Sequence, residues 1–145
     1  MTPDAALCIF AKPPEPGHAK TRLIPVLQAE GAADLARALL RDLWARLEPI
    51  PWAQPVLATT DVNTTAFGLG DVTRWHQGEG DLGARVERIF HLGLSLYSVV
   101  FAVGADSPDL PLQALQQAHS LLKTHDAVLG PSDDGGFYLL ALRRC

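Results

Sequence analysis

The basic side chains that could bind a phosphate group are concentrated near the start of the sequence. The segment FAKPPEPGHAKTRL, residues 10–23, contains Lys12, Lys20 and Arg22 and only one acidic residue, Glu15. Lysine and arginine bind phosphate oxygens, and arginine can do so through two parallel hydrogen bonds. Because prolines restrict the backbone of this segment, the sequence predicts a stiff cationic loop for phosphate. A turn whose lysines point to solvent is the alternative.

Aspartates dominate two later segments, GADSPDLP at 104–111 and GPSDDGG at 130–136. Carboxylate oxygens are ligands that Mg²⁺ and Mn²⁺ prefer, and these ions often bridge to substrate phosphates. The sequence therefore predicts a phosphate ester as ligand and Mg²⁺ or Mn²⁺ as cofactor. The alternatives are a helix cap in the first segment and a tight Asp-Gly turn in the second. The aspartates concerned are Asp106, Asp109, Asp133 and Asp134.

Composition and charge limit the class of protein. The chain has 145 residues, of which 48% are hydrophobic, so we expect one domain, residues 1–145, with a substantial core. The formal net charge of -4 disfavours a nucleic-acid-binding protein. The N-terminal residues lack the basic and long apolar stretches of a signal peptide or membrane span, so we expect a cytoplasmic protein. Cys8 lies in an apolar run and is predicted to be a small buried hydrophobe.

The charged segments follow predicted strands of an alternating β and α pattern. Apolar runs predict strands at 5–12, 55–61, 72–77, 98–106, 126–131 and 137–142. Amphipathic patterns predict helices at 29–47, 81–96 and 112–122, the first with a core-facing stripe of Leu35, Leu39, Leu43 and Leu47. The alternation is typical of an α/β fold with a mainly parallel sheet. Ligands of such sheets bind beyond the carboxyl ends of the strands, so we expect the charged loops to share one edge. The last two strands have no helix between them and must be connected differently.

A glycine-rich segment, GEGDLG at 78–83, matches the pattern G-x-G-x-x-G of dinucleotide-binding loops. The match is weak, because it follows the poorest predicted strand and carries Glu79 and Asp81, which would repel a pyrophosphate. A loop whose Asp81 caps the following helix is the preferred interpretation. The segment GHAKT at 17–21 lacks the adjacent glycine and lysine of a P-loop.

Four segments together resemble the motifs of one bacterial family. FAKPPEPGHAKTRL, GEGDLGAR, GADSPDLP and GPSDDGGFYLLAL occur in the order found in DUF2064, a family of predicted glycosyltransferases with the GT-A nucleotide-diphospho-sugar transferase fold. The sequence is more distantly similar to the molybdenum-cofactor and 2-phospho-lactate guanylyltransferases. The resemblance implies a Rossmann-like three-layer α/β/α sandwich. It also implies a metal-dependent transferase whose partner is a nucleotide or sugar nucleotide. Glycosyl transfer from a nucleoside-diphosphate sugar is the first hypothesis, and the alternatives are nucleotidyl transfer from a nucleoside triphosphate and a non-catalytic nucleotide-binding module.

The resemblance also suggests roles for individual residues. It assigns phosphate or nucleotide binding to Lys12, Gly17, Lys20, Arg22, Gly80 and Asp81. It assigns metal binding to Asp106, catalysis to Asp133 and Asp134, and the acceptor side to Gly135 and Gly136. Either catalytic aspartate could act as general base for an acceptor hydroxyl. Family members usually continue beyond the last of these motifs, so a C-terminally truncated domain and a homodimer formed through an exposed sheet edge are further hypotheses.

Overall fold

The computed structural model describes residues 2–17, 24–105, 110–132 and 137–144. The strands are β1 (Ala5–Phe10), β2 (Ala53–Thr59), β3 (Arg74–His76), β4 (Val99–Gly104), β5 (Ala127–Pro131) and β6 (Phe137–Arg143). The helices are α1 (Ile24–Leu47), α2 (Leu82–Leu96) and α3 (Leu112–Leu121). Each strand and helix predicted from the sequence is present, and the weakest prediction corresponds to the shortest strand, β3.

The strands form one sheet in the order β3-β2-β1-β4-β6-β5. β1 runs parallel to both β2 and β4, and β3 runs parallel to β2. β6 is antiparallel to both of its neighbours, β4 and β5, so β5 points in the same direction as β4. The predicted mainly parallel sheet is therefore confirmed. The two strands without an intervening helix are antiparallel neighbours, because a short connection cannot make the long crossover that parallel strands require.

Helices cover both faces of the sheet, which gives three layers. On one face, α1 and α3 pack over alternate residues of β1, and on the other face α2 packs over the residues between them. The first cluster includes Leu7, Ile9, Leu40, Leu43, Leu47, Phe101 and Leu115. The second includes Ala6, Cys8, Val56, Ile89, Phe90 and Val100. Because the central strands are buried on both sides, their sequences are almost continuously apolar.

Helix α1 differs from its prediction in its start and in its buried face. Gln28 has a φ of 63°, a left-handed conformation that kinks the helix just before the predicted start at Ala29. Leu43 and Leu47 are fully buried as predicted, but Leu35 and Leu39 are only half-buried. In a helix of 3.6 residues per turn, four residues cover about 40° more than one full turn, so each leucine of the stripe is rotated by about 40° from the one before it. A strict four-residue stripe therefore leaves the core within a few turns.

Two observations on the packing confirm or extend the sequence predictions. Cys8 is fully buried, and burial raises the pKa of its thiol. Gly93 of α2 lies so close to β4 that a Cβ atom there would be 2.6 Å from Cγ2 of Val100. Within the described ranges, no helix has the length and apolar character needed to cross a membrane.

Candidate active site

The strands that point in the same direction end at one edge of the sheet, which we call the carboxyl edge. Phe10 at the end of β1 pairs with Gly104 at the end of β4. Leu139 of β6 pairs with both Val103 of β4 and Gly130 of β5, so these two residues are level with each other. The segments that follow β1, β4 and β5 therefore start at the same edge, as the sequence predicted.

The structure describes only some of the predicted site residues. Lys12 and Gly17 follow β1, and Gly80 and Asp81 lie between β3 and α2. The others lie outside the described residues and stay predictions: Lys20, Arg22, Asp106, Asp133, Asp134, Gly135 and Gly136. The capping role considered for Asp106 and Asp109 also falls outside them, although the N-cap position of α3 is occupied by Pro111.

The loop after β1, residues 11–17, is attached to the sheet and to α1. The amide of Ala11 donates to the carbonyl of Ala58 in β2 at 3.0 Å. Arg37 of α1 donates from Nη2 to the carbonyl of Pro14 at 3.3 Å. Lys12 is exposed and directly follows the residue bound to β2. Its ammonium group is therefore available to an anion at the carboxyl edge.

The loop between β3 and α2, residues 77–81, begins with a buried polar side chain. Gln77 is 6% exposed, and its amide donates to the carbonyl of Thr59 at 2.8 Å. Its side-chain Nε2 donates to the carbonyl of Ala58 at 2.7 Å. This is the carbonyl that also accepts from Ala11, so one oxygen of β2 joins the loops of Lys12 and Gln77. The two loops are thereby fixed relative to each other.

Two arginines of α2 bind the backbone of the 77–81 loop. Nη1 of Arg88 donates to the carbonyl oxygens of Gln77 and Glu79. Nε of Arg85 donates to the carbonyl of Gly80 at 2.9 Å, and its Nη1 lies 3.5 Å from Oε1 of Gln77. The side chains of one helix thus orient three peptide groups of the loop.

The glycines of this loop are required by its backbone. Gly78 and Gly80 have φ values of 78° and 107°, which side chains disfavour. A Cβ on Gly78 would also approach the guanidinium carbon of Arg88 to 2.6 Å. Asp81 accepts a hydrogen bond from the amide of Ala84 at 2.8 Å, so the predicted helix cap is confirmed. Its carboxylate is consequently oriented towards the start of α2.

Sequence reasoning missed Gln77 and the arginines of α1 and α2 that hold the loops. A glutamine at the end of a strand and directly before glycine is one pattern that could have indicated a buried polar contact. Arg85 and Arg88 are three residues apart and thus share a helix face.

Within the described ranges, no group of three or more histidine, cysteine, aspartate or glutamate side chains could hold a metal ion. The predicted metal ligand, Asp106, lies outside these ranges, so the metal site stays a prediction.

A separate pocket of about 380 Å³ lies at the opposite edge, where β1 and β4 begin. Its lining includes Asp4, His119 and Lys123. His119 contacts Asp4 at 3.0 Å, and its ring stacks on Trp52 with the ring centroids 3.9 Å apart. These contacts attach α3 to the start of β1. They lie at the opposite end of the strands from the carboxyl edge.

The chain is similar in sequence and structure to proteins that are described as transferases. It is 28% identical over 127 residues to the 2-phospho-L-lactate guanylyltransferase of Methanothermobacter thermautotrophicus, and the match covers 87% of this chain and 57% of that protein. The crystal structure of a proposed nucleotide-diphospho-sugar transferase from Desulfovibrio desulfuricans G20 superposes with a TM-score of 0.88 at 30% identity, covering 97% of this chain and 64% of that chain. The chain thus spans less than two thirds of the length of either protein.

A third comparison concerns the fold alone. The 4-diphosphocytidyl-2C-methyl-D-erythritol synthase of Anaerococcus prevotii DSM 20548 has a TM-score of 0.60 at 11% identity, over 97% of this chain and 70% of that chain. Residues 51–145 match the protein family that is described as "Uncharacterized protein conserved in bacteria (DUF2064)". Because this match covers well over half of the chain, the protein belongs to the DUF2064 family, in agreement with the resemblance found in its motifs.

Proposed function

We propose that the chain forms the nucleotide-binding part of a transferase of GT-A type that acts on a nucleotide-activated donor, and that the transferred group is a sugar. The observation that carries the proposal is the joining of the Lys12 loop and the 77–81 loop through the carbonyl of Ala58 at the carboxyl edge. Ligands of open α/β sheets bind at that edge. The similarity to the proposed nucleotide-diphospho-sugar transferase supports the choice of donor.

The donor's diphosphate would lie against the basic loop that follows β1. Lys12 is exposed there, and the sequence adds Lys20 and Arg22 to the same segment. Exposed acidic side chains, Glu79 and Asp81, belong to the other loop and disfavour phosphate there. The charges of the two loops therefore favour one orientation, with the phosphates closer to Lys12.

In glycosyl transfer, an acceptor hydroxyl oxygen attacks the anomeric carbon, and the bond from that carbon to the diphosphate oxygen breaks. The nucleoside diphosphate leaves with the electron pair, and the cationic loop stabilises its charge. The hydroxyl proton passes to a carboxylate, for which Asp133 and Asp134 are the candidates. A carboxylate such as Asp106 is a suitable ligand for Mg²⁺ or Mn²⁺, which would supply further positive charge to the leaving diphosphate.

Nucleotidyl transfer is the second candidate, and the similarity to a guanylyltransferase favours it. Here the acceptor oxygen attacks the α-phosphorus of a nucleoside triphosphate, and pyrophosphate leaves. The same cationic loop would stabilise the charge that develops on the phosphates. The two reactions therefore differ in the product released rather than in the residues required at the carboxyl edge.

The test combines product analysis with binding. The chain is incubated with sugar nucleotides and with nucleoside triphosphates, and release of nucleoside diphosphate or of pyrophosphate is measured. Calorimetry with and without Mn²⁺ then compares Lys20→Ala and Asp106→Ala with two controls, Lys123→Ala at the opposite edge and Asp42→Ala on α1. Loss of metal-dependent binding in the first pair alone supports the site. Binding that is unchanged in both variants contradicts it, and binding without turnover identifies a non-catalytic module.

A further inference from the structure

We propose that Arg88, assisted by Arg85 and Gln77, is a positioning residue that holds the 77–81 loop in the conformation that binds the nucleotide. The inference rests on the proposed function, because it assigns this loop to the nucleotide site. Arg88 itself would not touch the reacting atoms. It would act through the backbone of the loop, and its effect should appear in nucleotide affinity.

The arginine contacts determine the orientation of the peptide groups in the 77–81 loop. Arg88 binds the carbonyls of Gln77 and Glu79, and Arg85 binds that of Gly80. The described residues contain no cis peptide bond, so each amide N–H points opposite to the carbonyl of its own peptide group. The amides of Gly78, Gly80 and Asp81 are therefore directed away from the arginine nitrogens that bind the preceding carbonyls.

The backbone of the 77–81 loop has high intrinsic conformational freedom. It contains Gly78 and Gly80, both with positive φ, and glycine has more accessible conformations than any other residue. A loop of this composition would be disordered over many conformations without external contacts. The contacts described here come from α2, from β2 through Gln77, and from His76, whose Nδ1 accepts from the amide of Gly78 at 2.8 Å. Most of them end on backbone atoms, so they fix the conformation of the loop itself.

The 77–81 loop is also fixed in position relative to the loop of Lys12. Through Gln77 and the carbonyl of Ala58 it is joined to Ala11, the residue before Lys12. A nucleotide that contacts both loops would therefore meet a surface that is already in place. Preorganisation of this kind raises affinity because the ligand does not have to order the loop on binding. Arg88 is the side chain whose removal would loosen the loop with the least effect on the core, because it is exposed.

The structure offers a matched control. Arg144 binds backbone carbonyls in the same manner, since its Nε donates to Leu94 at 2.8 Å and its Nη2 donates to Tyr97 at 3.0 Å. These carbonyls belong to the last turn of α2 and to its C-cap residue, and Arg144 lines the pocket at the opposite edge. Arg144→Ala therefore removes a similar set of bonds at a distance from the proposed site.

The experiment measures nucleotide affinity and loop order separately. Wild type, Arg88→Ala, Arg88→Lys and Arg144→Ala are titrated by calorimetry with the four nucleoside triphosphates, UDP-glucose and GDP-mannose, each with Mn²⁺. If the competent fraction of the loop falls to roughly 10–20%, the Kd of Arg88→Ala rises about 5- to 10-fold. Arg88→Lys should restore affinity to within about 3-fold of wild type, because an ammonium can donate to both carbonyls that Nη1 binds. Arg144→Ala should match wild type.

Hydrogen exchange on the unliganded proteins reports the loop directly. Amides of residues 77–81 should exchange faster in Arg88→Ala and should be unchanged in Arg144→Ala. If the wild-type protein binds none of the nucleotides, the proposed function is wrong, and so is the role assigned to the loop. Wild-type binding that Arg88→Ala leaves unchanged, or that both alanine variants weaken equally, overturns the inference alone. Unaltered exchange in Arg88→Ala also overturns it, whatever the nucleotide data show.

Discussion

Replacing Gly93 by alanine should destabilise the protein, although alanine is the better helix former. Gly93 is buried within α2, where the helix approaches the sheet. An added Cβ would lie 2.6 Å from Cγ2 and 3.1 Å from Cγ1 of Val100, and 3.3 Å from Cζ3 of Trp75. Val100 is fully buried and β-branched, so it cannot rotate out of the way. The substitution therefore forces α2 away from β4.

Two opposing effects set the size of the change. Alanine in a helix interior is favoured over glycine by about 1 kcal/mol. Overpacking of a well-packed core costs about 1–3 kcal/mol. The expected result is a loss of about 1 kcal/mol in the free energy of unfolding, and of about 2 kcal/mol at most. For a domain of this size, a change of about 1 kcal/mol lowers Tm by roughly 2–4 °C.

Urea denaturation of the single and double variants tests this reasoning. Gly83→Ala is the control in the same helix, because its Cβ would meet only Asp81 Oδ1, at an ordinary 3.6 Å, and it should be neutral or stabilising. In a Val100→Ala background the clash is relieved, so Gly93→Ala should become less costly there. If Gly93→Ala instead stabilises the otherwise unmodified protein by about 1 kcal/mol, helix propensity alone decides and the argument from close packing is wrong.

Three further predictions concern the cap, the buried thiol and the first loop. Asp81→Ala removes the N-cap of α2 and should lower the free energy of unfolding by about 1 kcal/mol in urea denaturation, whereas Asp81→Asn should retain most of it. Burial raises the pKa of Cys8, so the unfolded chain loses this proton first and stability should fall as the pH rises above about 8.5. That alkaline loss should be smaller in Cys8→Ala, and in a Cys145→Ser background the native protein should resist thiol reagents until it is unfolded. Arg37→Ala removes the bond to Pro14 and should accelerate amide exchange in residues 11–17, with no change if the loop is held by other contacts.

The order and type of the secondary structure elements could be predicted because burial imposes a periodic pattern on the sequence. The strands predicted at 5–12 and 98–106 correspond to β1 and β4, which are apolar on both faces because both lie in the middle of the sheet. The kink at Gln28 could not be predicted. Residues 25–27 before it are exposed, Val26 by 81%, so these residues form no buried side-chain pattern that could indicate the kink.

The candidate site was predictable where it depends on chain order and not where it depends on long-range contacts. Charged segments directly after strands indicate the carboxyl edge, and aspartate before a helix indicates a cap such as Asp81. In contrast, Arg37 binds a carbonyl 23 residues away and Arg88 binds one 11 residues away. Such bonds join a long side chain to a backbone atom, which every residue type has. Neither composition nor periodicity therefore indicates where they form.

The position of β6 between β4 and β5 has a consequence for synthesis on the ribosome. Among the described strands, β5 pairs with β6 alone, and β6 is made later, so Ala127–Pro131 has none of these neighbours when it leaves the exit tunnel. Until Phe137–Arg143 follows, β4 also has one open side, and both strands can pair with a nascent chain nearby. Chaperones that bind unpaired strands should therefore still be able to recognise β4 and β5 until β6 has emerged.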